Sequence, residues 1–598
     1  MKGYWGKIAE VDLSNRRVEI KEIEYDILKK YIGGRGLGTY LYTKYVPEID
    51  VDPLSEKNPI IIATGPLTGT PASTAGRISS TTRSPLTGTI LDSNAGGMFG
   101  APFKYSGIDA MIIVGKSEKP AYILINDGQI SIEDASDLWG KGTGETTKEL
   151  KSRHRAMSVI SIGPAAENGV LYASVMVDGD RGFGRGGLGT VWASKKLKAI
   201  AVRGTKRPEI DSPEDFKNVH YEIIKLLKAH PITSKTLPAH GTNSLMKVIN
   251  FFGMLPTRNF QMGQFEGVEK VDGEAVSKKI LIKAEGCWGC PIVCGRRTRI
   301  TDAEGHGPEY ETAWAFGPNL MIDDLEAITK ANYLCNEYGM DTITFGGTLA
   351  YAMEATERGI HDFGIKFGDA EKLVEYAKLT ALKEDVGAEL ALGSKRLAQK
   401  YGGEEFAMNV KGLELPAYDP RGSFGMALVY STSNRGACHL RGGYSVGFEE
   451  LGVPRRINRF AVAGKGTHVA RSQDIGAFYD SAILCRFTSF AVSMDNWARL
   501  VSAVLGETFT AADLEKAGER IHNLERLINL KLGFDKKDDT LPRRLLKEAL
   551  KEGPSKDRLI PFDDLLREYY EYRGWDENGV PTSEKIKELG LEDDVKWL

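Results

Sequence analysis

Cysteine is scarce in this chain: six thiols in 598 residues, at positions 287, 290, 294, 335, 438 and 485. That scarcity excludes a disulfide-built scaffold, and clustered thiols in such a chain read as metal-binding or catalytic. A surplus of one charge is also missing. The net charge is -3, without the basic footprint of a general nucleic-acid binder. No stretch approaches the 18 apolar residues of a transmembrane helix, so no membrane span is expected. The opening "MKGYWGKIAEVDL" has no apolar core of a signal peptide. The cytoplasm is therefore the expected compartment. Glutamine is rare, at Gln129, Gln261, Gln264, Gln399 and Gln473, while Lys and Glu abound. That bias is seen in proteins from hot environments.

The remaining composition is that of a soluble globular protein, 41% hydrophobic and 27% charged. The length suits roughly three to four domains. Period-two alternation in "KIAEVDL" and the buried run "NPIIIATGP" predict strands, and "AYILINDGQISI" predicts a hairpin turning at Asn126-Asp127-Gly128. Glycine-rich loops crowd the same region. The pattern turns helical at "EIDSPEDF", where Ser212 is a good N-cap and Pro213 suits the first helical position. A second break falls near "LELPAYDPRGSFG". The expected fold is α+β: a β-rich base over 1–208, then two mostly helical domains over 209–416 and 417–598.

Three cysteines fall in "CWGCPIVC", spaced C-x2-C-x3-C at Cys287, Cys290 and Cys294. Zinc and cubane iron–sulfur clusters each take four ligands. Zinc sites usually pair C-x2-C with a nearby second pair, and here the next cysteine is Cys335. A Cys-Pro step beside the cluster resembles iron–sulfur runs. The fourth ligand is then distant, with Cys335, Cys438 and Cys485 as candidates. "GRGGLG" over 184–189 fits a dinucleotide fingerprint, but too few residues follow it to build a crossover helix, so it reads as an anion-cradling loop. "GPEYETAW" offers Glu309 and Glu311, and "NRGACHLRGG" offers His439, as acid–base groups.

Together these pieces resemble the tungsten-containing aldehyde:ferredoxin oxidoreductases. The ordered set runs from "GYWGKI" through "GPLTGT", "RGFGRGGLG", "CWGCPIVC", "GPEYE" and "ELPAYDPRG" to "DSAILC" and "DDTLPRRLL". The resemblance implies two pterins holding one tungsten (or molybdenum, which takes the same ligands), a [4Fe–4S] cluster and a Mg²⁺ ion. It implies that Cys485 completes the cluster with Cys287, Cys290 and Cys294. It assigns pterin contacts to Arg77, Asn94, Gly96, Arg181, Gly182, Asn336, Met340, Asp341, Arg435, Gly436, Arg441, Asp480, Leu484 and Cys485. Backbone carbonyls of Asn94 and Gly182 would hold the Mg²⁺, a hard cation that prefers oxygen. Glu311 is implied as general base and His439 as hydrogen-bond donor to the aldehyde oxygen.

Several positions depart from the family pattern. Asn336 stands for Asp, Met340 for Leu, Ile483 for Gly and Arg441 for Lys. The implied reaction is oxidation of an aldehyde to an acid with water, electrons leaving to ferredoxin or a small iron–sulfur subunit. The alternatives are a low-potential reductase of acids or aromatic rings, and a non-catalytic iron–sulfur carrier. Arg455, Arg456 and Arg459, with Arg441, read first as a solvated loop; the sharper reading is a basic pocket mouth and an anionic aldehyde. Arg296, Arg297 and Arg299 suggest a basic docking surface beside the cluster, with a merely solvated loop as the alternative. Some relatives dimerise around an iron held by an E-x-x-H pair. Lys330 and Tyr333 stand there, and a lysine cation and a phenol are poor iron ligands, which argues against an iron-bridged homodimer.

Overall fold

The period-two segments of the first two hundred residues pair into two six-stranded sheets. The computed structural model describes residues 1–597. In the first sheet the strands lie in the order Arg17–Glu22, Lys7–Asp12, Ala110–Val114, Ile60–Ala63, Ile78–Arg83 and Ile90–Ala95. In the second they run Arg181–Phe183, Val175–Val177, Ser158–Ser161, Leu197–Arg203, Ala121–Asn126 and Gln129–Asp134. Pairing is antiparallel except for Lys7–Asp12 with Ala110–Val114 and Leu197–Arg203 with Ala121–Asn126. The expected hairpin forms, with Asn126 opposite Gln129.

"GRGGLG" does not open a dinucleotide fold. The strand before it, Arg181–Phe183, and the strand after it, Leu197–Arg203, are not neighbours in the sheet. Only the seven-residue helix Leu188–Ser194 lies between them.

Helices dominate after Pro213, as the break in pattern predicts. Helix Pro213–Ala229 starts where expected, but Ser212 does not cap it; its hydroxyl donates to the Asp215 carboxylate instead. Helix Gly34–Tyr45 packs on the first sheet and also against helices Lys465–Ala482 and Ala511–Lys531. Glycine permits this approach: a Cβ on Gly34 would lie 2.4 Å from the Asp480 carbonyl oxygen. The base and its helical cover therefore meet backbone to backbone at Asp480, one of the positions the resemblance assigns to a pterin.

Candidate active site

The cysteine run forms the turn of a hairpin between strands Leu281–Glu285 and Gly295–Arg299. Cys485 arrives from elsewhere. Helix Lys465–Ala482 ends, Ile483 takes a left-handed conformation with φ 64°, and the chain doubles back. One loop of the base ties the two pieces together. The Cys485 N–H donates to the Thr74 carbonyl at 3.1 Å, and the Thr74 N–H donates to the Gly289 carbonyl at 3.3 Å. All four thiols, Cys287, Cys290, Cys294 and Cys485, line one cavity of about 350 Å³. Cys335 and Cys438 are fully buried away from that wall. Burial pushes the Cys290 and Cys485 thiols up to about 11 and Cys294 to about 12.

Glycine loops of the base complete the wall. Gly96 touches Cys287: a Cβ there would meet the sulfur at 2.8 Å. Arg77 donates to the Asn94 side-chain oxygen at 2.6 Å and to its carbonyl at 3.2 Å. Arg181 pairs with Glu309 at 2.7 Å, and Thr242 donates to the other Glu309 oxygen at 2.6 Å. From the helical side come Asn336, Met340 and Asp341; Asp341 also caps helix Thr342–Glu357 through the Ile343 N–H. Arg77, Gly96, Arg181, Gly182, Asn336, Met340 and Asp341 therefore share the wall with the thiols.

Asn94, Arg435, Gly436, Arg441, Asp480 and Leu484 lie outside that lining. Of these, Arg435 donates to the Asp92 carbonyl at 2.6 Å and to Cys438 Sγ at 3.1 Å. Arg441 grips the Asp92 carboxylate and lies 3.4 Å from Asp480. Arg35 reaches Asp480 at 3.3 Å and binds Glu525 through two bonds of 2.7 and 2.6 Å. Several polar atoms in this region have no partner in the protein: Asn94 Nδ2, Arg435 Nε and the buried His306 Nε2. Buried polar groups are normally paired, so unpaired ones around a cavity are what a polar cofactor would satisfy.

A second cavity of about 410 Å³ adjoins the first, and Thr242, Glu309, Leu440 and Phe487 line both. Its wall carries Glu311 and His439, with Tyr310, Tyr418 and Tyr444 beside them. His439 Nε2 lies 3.4 Å from Glu311 Oε1, and the Ala417 N–H donates to Glu311 Oε2 at 3.0 Å. Burial raises the Glu311 carboxyl to about 8. Burial, with Arg185, Arg435 and Arg441 nearby, lowers His439 well below its ordinary value, so the imidazole is neutral.

Sequence reasoning missed four contributors. Arg185 lay inside the quoted "GRGGLG"; it donates to the Ala437 and Glu414 carbonyls and lies 3.4 Å from Asp341. Arg35 lay inside "GGRGLG", and Asp92 completes its ion cluster. A charged residue among close-packed glycines was the available signal for both arginines. Arg486, next to Cys485, lines the second cavity with Nη1 unpartnered.

The sharper reading of neither arginine group matches where the structure puts these side chains. Arg455, Arg456 and Arg459 do not line the second cavity. Arg459 instead donates to the Phe252 and Gly422 carbonyls and stacks on Phe460. Nor do Arg296, Arg297 and Arg299 form a free basic surface. Arg296 is 1% exposed and satisfies the carbonyls of Ala239, Pro238 and Val293. Glu304 lies 3.3 Å from Arg297 and 3.0 Å from Arg299, and Asp180 lies 3.5 Å from Arg297. Strand pairing beside the hairpin brought acidic partners that the linear sequence did not reveal. At the E-x-x-H positions, Lys330 pairs with Asp302 and the Tyr333 hydroxyl bonds Thr298.

Two family models match the chain, described as "Aldehyde ferredoxin oxidoreductase, N-terminal domain" over residues 8–204 and "Aldehyde ferredoxin oxidoreductase, domains 2 & 3" over residues 218–591. A tungsten-containing aldehyde ferredoxin oxidoreductase of Pyrococcus abyssi is 46% identical over 609 residues, covering 99% of this chain and 100% of the relative. The WOR-like subunit of an aliphatic sulfonate oxidoreductase from Pyrococcus furiosus is 31% identical, covering 99% and 97%. Among solved structures, the active-site complex BamBC of benzoyl coenzyme A reductase superposes with a TM-score of 0.86 at 25% identity, over 99% of this chain and 98% of that one. The family models and the 46% identity over the full length of a named relative make the chain an oxidoreductase. It belongs to the aldehyde ferredoxin oxidoreductase family.

Proposed function

We propose that this chain oxidises an aldehyde to a carboxylic acid at a tungstopterin centre and passes the electrons through a [4Fe–4S] cluster to ferredoxin. The observation that carries the reading is the contact between two cavities, one walled by four thiols and one by Glu311 and His439. The cofactor set is two pterins on one tungsten or molybdenum, one cluster on Cys287, Cys290, Cys294 and Cys485, and Mg²⁺ at the Asn94 and Gly182 carbonyls. Among the described residues no three acidic, His or Cys side chains converge closely enough to hold a single metal ion. Thiols spread around a cavity suit a larger group. The base over 1–208, with helical units over 209–416 and 417–598, is part of the proposal, as is a cytoplasmic location. Among the described residues, no helix is long and apolar enough to cross a membrane.

When bound, the metal centre would supply a two-electron acceptor and the cluster a one-electron outlet. The rest falls to the protein. Neutral His439 donates a hydrogen bond to the aldehyde oxygen, polarising the carbonyl. Glu311 takes a proton from the attacking water; a carboxyl raised to about 8 is strong enough as a base for this. Water supplies one oxygen, the aldehyde C–H bond breaks, and two electrons and two protons leave. The mostly apolar wall of the second cavity lowers the polarity around this chemistry.

An anionic substrate remains part of the proposal, but its cation moves. Arg486, and not the Arg455–Arg459 strip, faces the second cavity without a carboxylate at ion-pair distance. The test is an anaerobic assay with viologen across matched neutral and anionic aldehydes. The proposal expects aldehyde-dependent dye reduction, with Arg486→Met lowering kcat/KM about tenfold or more for the anionic partner alone. Absence of any aldehyde-dependent reduction by metal-loaded enzyme would overturn the reaction. An equal effect on both substrate types would overturn the role of Arg486.

A further inference from the structure

The arginines that follow Cys294 are already engaged, but other cations near the cysteine loop are not. The loop itself reaches solvent: Gly289 and Pro291 are exposed on either side of Cys290. Trp288, between Cys287 and Cys290, packs edge-on against Tyr105 at 6.0 Å between ring centroids. On that same tyrosine ring the Arg207 guanidinium sits 3.8 Å from the centroid. The Lys206 N–H donates to the Tyr105 carbonyl at 3.0 Å, so the whole "RGTKR" strip over 203–207 is held against this residue.

Arg203, Lys206 and Arg207 are all exposed. Among the described residues, none of the three has a carboxylate within ion-pair distance. Asp127 touches the strip, accepting the Thr205 hydroxyl at 2.8 Å, so one negative charge stands against the strip's three positive ones. The strip therefore differs in kind from Arg297 and Arg299, whose charge is balanced inside their own sheet. These exposed cations, with Arg207 tied through Tyr105 to Trp288 of the cysteine loop, form a positive strip beside that loop. Such a strip steers an encounter with a negatively charged partner.

We propose that Arg203, Lys206 and Arg207, with the exposed Gly289–Pro291 turn, form the docking surface for an acidic iron–sulfur protein that takes electrons from this chain. The inference rests on the electron path of the proposed function. Trp288 and Tyr105 make the floor of the surface, and Arg207, stacked on Tyr105, presents its charge at the rim. A salt-sensitive, charge-steered complex is the consequence, because exposed pairs are screened over about 8–10 Å at ordinary ionic strength.

The test uses the metal-loaded chain and a small acidic [4Fe–4S] ferredoxin, and measures binding and electron transfer separately. Arg207→Glu and the Arg203→Glu/Lys206→Glu pair should each raise Kd for the ferredoxin about tenfold or more at low ionic strength. Arg207→Lys should restore most of the affinity. Aldehyde-dependent viologen reduction should stay at the parent rate, because the dye needs no docking surface. Added salt should weaken the parent complex more than the charge-reversed ones. An unchanged Kd in both reversed variants would overturn the proposal, as would an equal loss of ferredoxin and viologen rates. A parent enzyme inert with every aldehyde and dye would sink the reaction instead, and the Kd comparison would still judge the surface.

Discussion

Glu311 holds the proton chemistry of this account, and its environment sets a measurable pH. Burial raises its carboxyl to about 8, so the base form gains ground only as pH rises towards and past that value. The rate should therefore climb through a limb near pH 8. Glu311→Gln should lower kcat by roughly 10²–10⁴-fold while metal content is unchanged. Near-full turnover in that variant would remove Glu311 as the base. The same shift has a stability consequence. The folded pKa lies above the unfolded one, so its contribution is fully present below about 4.5 and declines as pH rises to about 8. Glu311→Gln should thus raise the thermal midpoint relative to the parent at pH 9 more than at pH 5; the opposite order would contradict the assigned shift.

At the scale of elements, the helix ends beside Asn336–Asp341 and Asp480–Cys485, both assigned to pterin contacts by the resemblance, solve one problem differently. Helix Leu325–Tyr338 ends on Gly339 with φ 72°, the usual solution. Helix Lys465–Ala482 ends on Ile483 with φ 64°, a conformation that costs a β-branched residue about 1–2 kcal/mol. Ile483 is fully buried, and removing a buried aliphatic side chain costs about 2–5 kcal/mol. Burial wins. Ile483→Gly should lower stability by about 2 kcal/mol despite relieving the strain, and a gain in the denaturation midpoint would contradict that balance. The departure from glycine was legible in the sequence; its compensation was not, because it depends on Gly34 and its neighbours packing from the base. The strands, the hairpin at Asn126 and the start of helix Pro213–Ala229 were legible because they rest on local pattern. The acidic partners of Arg297 and Arg299, and the carbonyls that absorb Arg459, were not, because they come from chain folding back upon itself.

For the whole molecule, the resemblance carried furthest where it named separated residues. Cys485 lies far along the chain from Cys294, and no spacing rule could bring it to the same wall. The structure does so through Thr74 of the base. Assembly follows from surface chemistry. Lys330 is paired to Asp302 and Tyr333 is bonded to Thr298, and a lysine cation and a phenol are poor iron ligands, so we propose that no iron bridge forms at the E-x-x-H positions. Native mass spectrometry should give a 65.6 kDa chain plus cofactors, alone or with a small iron–sulfur partner. A homodimer holding an inter-subunit iron would contradict this. The central claim, a tungstopterin oxidoreductase with a four-cysteine cluster, is tested most directly by metal analysis of anaerobically purified protein. The account predicts about one tungsten or molybdenum and about four iron atoms per chain, with Cys485→Ser losing most of the iron. Iron without tungsten or molybdenum, or stoichiometric zinc in place of both, would contradict it.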